Sequence, residues 1–248
     1  MGLLHSEAVI LQTFPLSELD RIVVIYTRSY GKLRGVASGA KRLQGRFSGR
    51  TEPFHWVQVH AHEKESRELV KIDKIELVQA FGCGLSDYRS FLRLSVVAEL
   101  LLKTVPEREP NEPLFRLLLL VLPEIRNVIH ADLAQLYFEI WHLKLAGLFP
   151  TVCSCSDCGK DLRVFPRIFY SLLSCGFCCP DCKRGSARLL SSEGYRLLRA
   201  ISQKALKEIL AVHSNWVAVG ELSQLIEELL ESNFERHLDS LRLIHDQS

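Results

Sequence analysis

The sequence predicts an α+β protein, and three observations carry that expectation. The first 80 residues hold short β-branched and aromatic runs broken by turn formers, helical spacing takes over from about Ser86, and seven of the eight cysteines gather between Cys153 and Cys182. With 248 residues, 47% hydrophobic and 24% charged, the chain is long enough for one large domain or several small ones. The same composition excludes a disordered or collagen-like chain.

The strand-forming runs are Ala8 to Phe14, Ile22 to Thr27, Leu33 to Ser38, Phe54 to His62 and Glu68 to Leu77, separated by turn formers such as Pro15, Ser29-Tyr30-Gly31 and Ser48-Gly49. Five short strands in about 75 residues suit a small barrel or an open sheet. Between His55 and His62 the period is two, with Val57, Val59 and Ala61 on one face and Trp56, Gln58, His60 and His62 on the other. His60 and His62 thus share a face, but no third ligand lies near them, so they read as solvated surface residues.

Pro106, Pro110, Pro113 and Pro123 mark the ends of two helical segments. Asp132 with Gln135 three places on predicts a capped helix start, followed by a stripe of Leu133, Leu136, Tyr137, Ile140, Trp141 and Leu145. Beyond the cysteines, Ser192 opens a tract in which Leu197, Leu198, Ile201, Ala205, Leu206, Ile209 and Leu210 recur at helical spacing, and Leu222, Leu225, Ile226, Leu229 and Leu230 repeat it. Neither tract alone has enough helices to close a core, so the cysteine module reads as an insertion in one helical domain. The expected divisions are a strand domain at 1–80, helices at 81–150, the cysteine module at 151–186, and helices again at 187–248.

Net charge is only +2, so polyanion binding must be argued from where the charge sits. The surplus is +3 over residues 1–80 and +2 over 151–186, against −1 over 81–150 and −2 over 187–248. Between Asp20 and Glu52 no acidic residue occurs, while Arg21, Arg28, Lys32, Arg34, Lys41, Arg42, Arg46 and Arg50 all fall inside, interleaved with Tyr26, Tyr30 and Phe47. Five glycines in the same window, Gly31 to Gly49, let a partner approach the backbone. Phosphate neutralisation with aromatic stacking is how small barrels hold single strands. The bland alternative is a solvated loop whose cations keep an edge strand soluble.

No secretory leader is signalled, and the longest apolar run, Leu117 to Leu122, is far shorter than the roughly 20 residues of a membrane span. The first six residues formally fit a myristoylation pattern, which six positions often meet by chance. Clustered cysteines favour a metal site in a reducing compartment over a spread disulfide framework, so a cytoplasmic protein is expected.

Cys155-x-x-Cys158-Gly159 and Cys179-x-x-Cys182 form two knuckles suited to a four-thiolate zinc site. Such a closed shell leaves no position for catalysis, so the metal is expected to be structural. Cys153 and the Cys175-x-x-Cys178 pair offer alternative ligands, and the neighbouring Cys178 and Cys179 are poor joint ligands for one ion. Lys160, Lys183 and Arg184 beside the knuckles are expected to hold thiolates deprotonated. His62-Glu63-x-x-Ser66 lacks the second histidine of a zinc protease, and no phosphate loop, nucleophile elbow or dinucleotide fingerprint occurs. The chain advertises no enzyme site.

Thr27-Arg28-Ser29-Tyr30-Gly31-Lys32-Leu33-Arg34-Gly35-Val36-Ala37-Ser38-Gly39-Ala40-Lys41-Arg42, preceded by Glu18-Leu19-Asp20-Arg21 and followed by Phe47 and Glu52-Pro53-Phe54, resembles the RecO family of bacterial recombination mediators. The order of helices, four-cysteine module and helices is similar too, so the resemblance covers essentially the whole chain. It implies an N-terminal OB-fold β-barrel followed by an α-helical domain interrupted by a four-cysteine zinc module, and a non-enzymatic role in recombinational DNA repair. It implies binding and annealing of single- and double-stranded DNA, contacts with the single-strand binding protein and the RecR mediator, indirect help to the RecA recombinase, and a place in the cytoplasm at the nucleoid. Carried over by position, it implicates Lys32, Lys41 and Arg42 in DNA contact, and Arg28, Arg34 and Arg46 of the same window complete the expected set. It also makes Cys155, Cys158, Cys179 and Cys182 the zinc ligands. The departures are Cys175 in place of a family glycine and the extra Cys153 and Cys178. Some members lack the ligands altogether, which implies an architectural zinc. The rival expectation is a zinc-containing protein-interaction adaptor that touches no DNA.

Overall fold

The structure is a computed structural model that describes residues 2–63, 68–82, 88–171, 176–185, 187–212, 215–234 and 240. Five strands, β1 (Gly2–Pro15), β2 (Arg21–Thr27), β3 (Gly31–Ala37), β4 (His55–Glu63) and β5 (Val70–Ala80), close into a barrel in the order β1-β2-β3-β5-β4. Closure depends on β1 serving two partners. Its first half pairs antiparallel with β4 from Gly2↔Glu63 to Val9↔Trp56, and its second half pairs with β2 from Ala8↔Thr27 to Pro15↔Arg21, with a bulge between Ile10 and Gln12. A bulge re-aims a strand, and here it lets one strand turn from one partner to the next. All other neighbours are antiparallel except β3 and β5, which run parallel from Gly35↔Val70 to Ala37↔Ile72.

The alternation in β4 is as expected: Val57, Val59 and Ala61 are buried with Ile10, Ile25 and Ile72 in the barrel core. His60 and His62 lie half-exposed on the outer face, where His62 faces Asp73 at 3.1 Å and His60 stacks on His5 across the strand pair.

Helices α1 (Tyr88–Thr104) and α2 (Glu112–Ile125) belong to the barrel's own compact unit, which covers residues 1–128 and the 238–248 segment. By their contacts these two helices go with the barrel, whereas the sequence pattern places them with the later helices. Their partners explain it: Tyr26 packs on Phe115 of α2, the Lys32 ammonium reaches α1, and Phe54 meets Phe91 edge to face at 5.9 Å. Asn111 caps α2 by accepting from Leu114 N at 3.0 Å, and Pro113 sits in its first turn. Pro123 does not end α2 but lies inside it, two residues before the end.

The second unit, residues 129–237, carries α3 (Ala131–Leu145), the cysteine module, α4 (Ser192–Gln203), α5 (Leu206–Val212) and α6 (Trp216–Phe234). The stripe expected on α3 is too narrow. Phe138, Glu139, His142 and Leu143 are buried as well, because α4, α5 and α6 all pack on this helix. The expected capping pair is not formed either: Asp132 lies inside the helix after His130, and Gln135 Nε2 donates to Glu139 Oε1 at 2.8 Å. Ser191, one residue before the expected start, caps α4 by accepting from Gly194 N. The tract beyond it breaks into two helices at Lys204. Among the described residues no helix is long and apolar enough to cross a membrane.

Candidate nucleic-acid interface and metal centre

The connection between β3 and β4 is a chain of tight turns, with Arg42 N, Gly45 N, Ser48 N and Arg50 N donating to Gly39, Arg42, Gly45 and Phe47 carbonyls at 3.0–3.1 Å. Two apolar anchors, Ala40 and Phe47, plug it into the barrel core. Its base is tied to the β1–β2 turn: Gly39 N donates to Asp20 Oδ1 at 2.8 Å, and Lys41 donates through its backbone to Leu19 O and through Nζ to Ser17 O. Gly39 has φ +78, a left-handed conformation that favours glycine. The loop is thus a built platform. On it Arg42 and Arg46 are exposed and Lys41 half-exposed, and none of the three makes an ion pair with a described carboxylate. Arg46 lies over the Phe47 ring at 4.7 Å. Leu43, 93% exposed between these cations, is an apolar tip that charge counting passes over.

The other three expected DNA contacts are placed differently. Lys32 is only 6% exposed, and its Nζ donates to Leu102 O at 2.7 Å and Leu101 O at 3.5 Å, capping the carbonyl end of α1. In this structure it is a buried cation held by the α1 carbonyls, not an exposed one on the loop surface. Arg34 pairs with Glu107 at 2.9 Å, and Arg28 pairs with Glu7 and Glu112 while lying 5.1 Å over Phe115. Of the remaining cations in the window, Arg21 pairs with Glu52 at 2.8 Å, and Arg50 donates to the Ile75 and Arg46 carbonyls. The acid-free window is therefore acid-free only in sequence, since carboxylates from β1, the α1–α2 connection and the first residue of α2 come to its hairpin end.

The cysteine module is built from two knuckles and a three-stranded sheet, β6 (Ile168–Ser171), β7 (Gly176–Cys178) and β8 (Arg188–Leu190), in the order β7-β6-β8. In the first knuckle Cys155 N donates to Lys160 O and Gly159 N to Cys155 O, with Gly159 at φ +72, and in the second Cys182 N donates to Cys179 O. The sulfurs of Cys155, Cys158, Cys179 and Cys182 all lie within 4.8 Å of one another, and Cys158 and Cys179 are 3.8 Å apart. A tetrahedron with arms of about 2.3 Å has edges of about 3.8 Å, so the four sulfurs lie at a spacing that fits a metal ion held by four thiolates. Cys153 and Cys178 stand outside this group, and Cys175 lies outside the described residues. Cys178 is fully buried in β7 and burial raises its thiol, which suits a neutral core residue.

The four thiols are close enough to hold one metal ion, and their charges act on one another. Burial alone would raise Cys155, but N–H donors of Cys179, Cys158 and Asp157 outweigh it and bring the thiol down to about 6, while the sulfurs of Cys158 and Cys179 push Cys182 strongly up. Four thiolates cannot all form at this spacing unless a positive ion sits among them. Lys160, expected to assist them, pairs first with Asp181 at 2.9 Å, and Lys183 lies over the Phe169 ring.

A small barrel with a rigid basic loop, joined in sequence to a helical unit that holds a four-thiol centre, defines the class. The particular family follows from comparison: the chain belongs to the RecO family. The model described as Recombination protein O N terminal matches residues 1–81, and that described as Recombination protein O C terminal matches residues 85–242. A DNA repair protein RecO of Koribacter versatilis is 31% identical over 241 residues, 97% of each chain. Its namesakes in Bifidobacterium longum (strain NCC 2705) and Streptomyces coelicolor are 32% and 30% identical, each covering 98% of this chain and 99% of the relative.

Proposed function

We infer that this RecO-family protein is a non-enzymatic mediator of recombinational DNA repair that binds single- and double-stranded DNA through the β3–β4 loop and promotes strand annealing. The observation that carries the reading is that loop: Lys41, Arg42 and Arg46 on a platform of fixed turns, free of ion pairs with described carboxylates, beside the exposed Leu43. A five-stranded barrel in which β1 closes on β4 and β3 runs parallel to β5 supports an OB-fold, an architecture suited to oligonucleotides. The mechanism is electrostatic. Cations that screen two phosphate backbones on one surface lower the repulsion that slows pairing.

The helical unit carries a structural zinc through Cys155, Cys158, Cys179 and Cys182, and the ion supplies positive charge and cross-linking to thiolates otherwise too close to ionise together. The family resemblance adds the single-strand binding protein and RecR as partners, RecA as the recombinase helped indirectly, and the cytoplasmic nucleoid as the place of work.

A salt titration of single-strand binding tests the reading. Affinity falls linearly with log salt, and Lys41→Ala with Arg42→Ala lowers the magnitude of the slope by roughly 0.7 for each lost phosphate contact. An unchanged slope in a folded double variant moves the DNA face elsewhere.

A further inference from the structure

The α1–α2 connection crosses the barrel at the hairpin end of β3. Glu107 bridges Lys32 as a parallel strand residue, and Arg108 N donates to Lys32 O at 3.0 Å. Gly31 is pressed so closely on this segment that a Cβ there would lie 2.3–2.6 Å from Glu109 backbone atoms. Arg108 holds φ +63, a left-handed conformation costly for a side chain with Cβ, and its guanidinium is pinned by Glu63. The segment is thus clamped to β3 by backbone pairing and a close approach, and to the end of β4 by an ion pair. What it presents there, together with the first residue of α2, is acid: Glu107 to Arg34 at 2.9 Å, and Glu112, where α2 begins, to Arg28 at 3.2 Å.

Resting on the reading that the barrel binds nucleic acid, we propose that this connection is an acidic strap, a built-in competitor whose carboxylates occupy the phosphate positions of Arg34 and Arg28. The chemistry is one of substitution. A guanidinium that donates to a carboxylate can equally donate to a phosphate oxygen, and Arg34 and its partner Glu107 are 58% and 50% exposed, so a strand can reach the pair without any core being opened. Arg34 is the main cation released. Arg28 stays partly neutralised by Glu7, and Glu112 is shared with Arg116 at 2.9 Å. With the strap seated, a strand contacts the β3–β4 loop alone. When the strap's carboxylates yield, the footprint extends to the hairpin. The strap thereby discriminates against short or weakly charged polyanions, which gain too few contacts to displace it.

The full-length protein tests this with Glu107→Gln, Glu112→Gln and, as a control, Glu109→Gln, each measured by salt titration of a fluorescent single strand. Each change removes one negative charge from the connection or from the first residue of α2, but the Glu109 side chain has no cation partner among the described residues. Glu107→Gln is expected to raise affinity about two- to fivefold at low salt, the range set by one exposed ion pair. It is also expected to steepen the log-log slope by roughly 0.7, and the Glu107→Gln, Glu112→Gln double variant by up to about 1.4. Glu109→Gln is expected to leave the slope unchanged. A purely structural strap predicts the opposite pattern, a lower melting temperature in the Glu107 and Glu112 variants with no change of slope, and that result overturns the proposal. Equal steepening by all three variants overturns it too, because the cause is then the general field. Arg42→Ala separates the two levels. If it weakens binding while the glutamate variants do nothing, only the strap fails, and if it also does nothing, the nucleic-acid reading falls with it.

Discussion

In the barrel, strands of 7 to 14 residues close around apolar side chains that alternate along each strand, and in the cysteine module three strands of 3 or 4 residues flank four thiols. The module is not without a core. Leu162, Ile168, Tyr170, Phe177 and Leu190 are all nearly fully buried, which is more apolar packing than the cysteine-rich sequence leads one to expect. It remains a small cluster, and sheets of that size are marginal on their own. The contrast is between order from burial alone in the barrel and, on the proposed function, order from burial plus ligation in the module.

The largest way to break this comparison is to remove the metal. Structural zinc in small finger peptides supplies roughly 10–16 kcal/mol of apparent folding free energy at neutral pH, so chelation is expected to disorder the module while the barrel stays folded. Hydrogen exchange reads both at once, with fast exchange across residues 153–182 and unchanged protection across Ile22 to Ala37. The reverse pattern would show that the barrel, and not the module, depends on the ion. Metal analysis of cysteine variants sharpens the result: Cys179→Ser is expected to lose zinc and Cys178→Ser to keep it.

The complementary change damages the barrel unit and spares the module. Gly31 combines φ +68 with a backbone 2.3 Å from where a Cβ would stand, so Gly31→Ala adds left-handed strain to a clash that no side-chain rotation relieves. A destabilisation of roughly 2–5 kcal/mol is expected from the two together. Thermal unfolding of the barrel should drop while zinc content holds at its wild-type level, and an unshifted transition would mean that the strap moves away at little cost.

The strands and the knuckles were legible because each is a local pattern. Period two marks a buried face within a few residues, and Cys-x-x-Cys with a following glycine is a turn with its ligands attached. The wide burial of α3 was not legible, since it depends on three helices that come later in the chain. Availability of cations was the main loss. Arg28, Lys32 and Arg34 read as free because their nearest sequence neighbours carry no acid, yet Glu107, Glu112 and the α1 carbonyls arrive from some 70 residues downstream. Charge counting sees which groups are present and not which have been neutralised.

Two buried groups on α3 give the smallest effect and the most discriminating one. Glu139 is 1% exposed, and burial, with Glu227 adding repulsion and Gln135 opposing it through a hydrogen bond, raises its carboxyl to about 8. His142, one turn on, is lowered to about 4 by burial between Phe138 and Phe234. The signs are opposite. Between about 4.5 and 8 the folded chain keeps a proton on Glu139 that the unfolded chain has lost, so stability falls as pH rises. Between about 4 and 6.5 the unfolded chain binds a proton on its histidine that folded His142 refuses, so stability rises with pH. Each slope is on the order of 1 kcal/mol per pH unit, and the two cancel between about pH 4.5 and 6.5. What survives is a decline from about 6.5 to 8, worth on the order of 2 kcal/mol. Glu139→Gln keeps the partner of Gln135 but cannot ionise, so in the zinc-loaded protein it is expected to abolish that decline and leave a rise below pH 6.5. Denaturant unfolding followed by Trp141, which donates to Ile201 O in the same unit, measures it. A decline between pH 6.5 and 8 that persists in Glu139→Gln would place its origin elsewhere, with the thiols of the module as the next groups to examine.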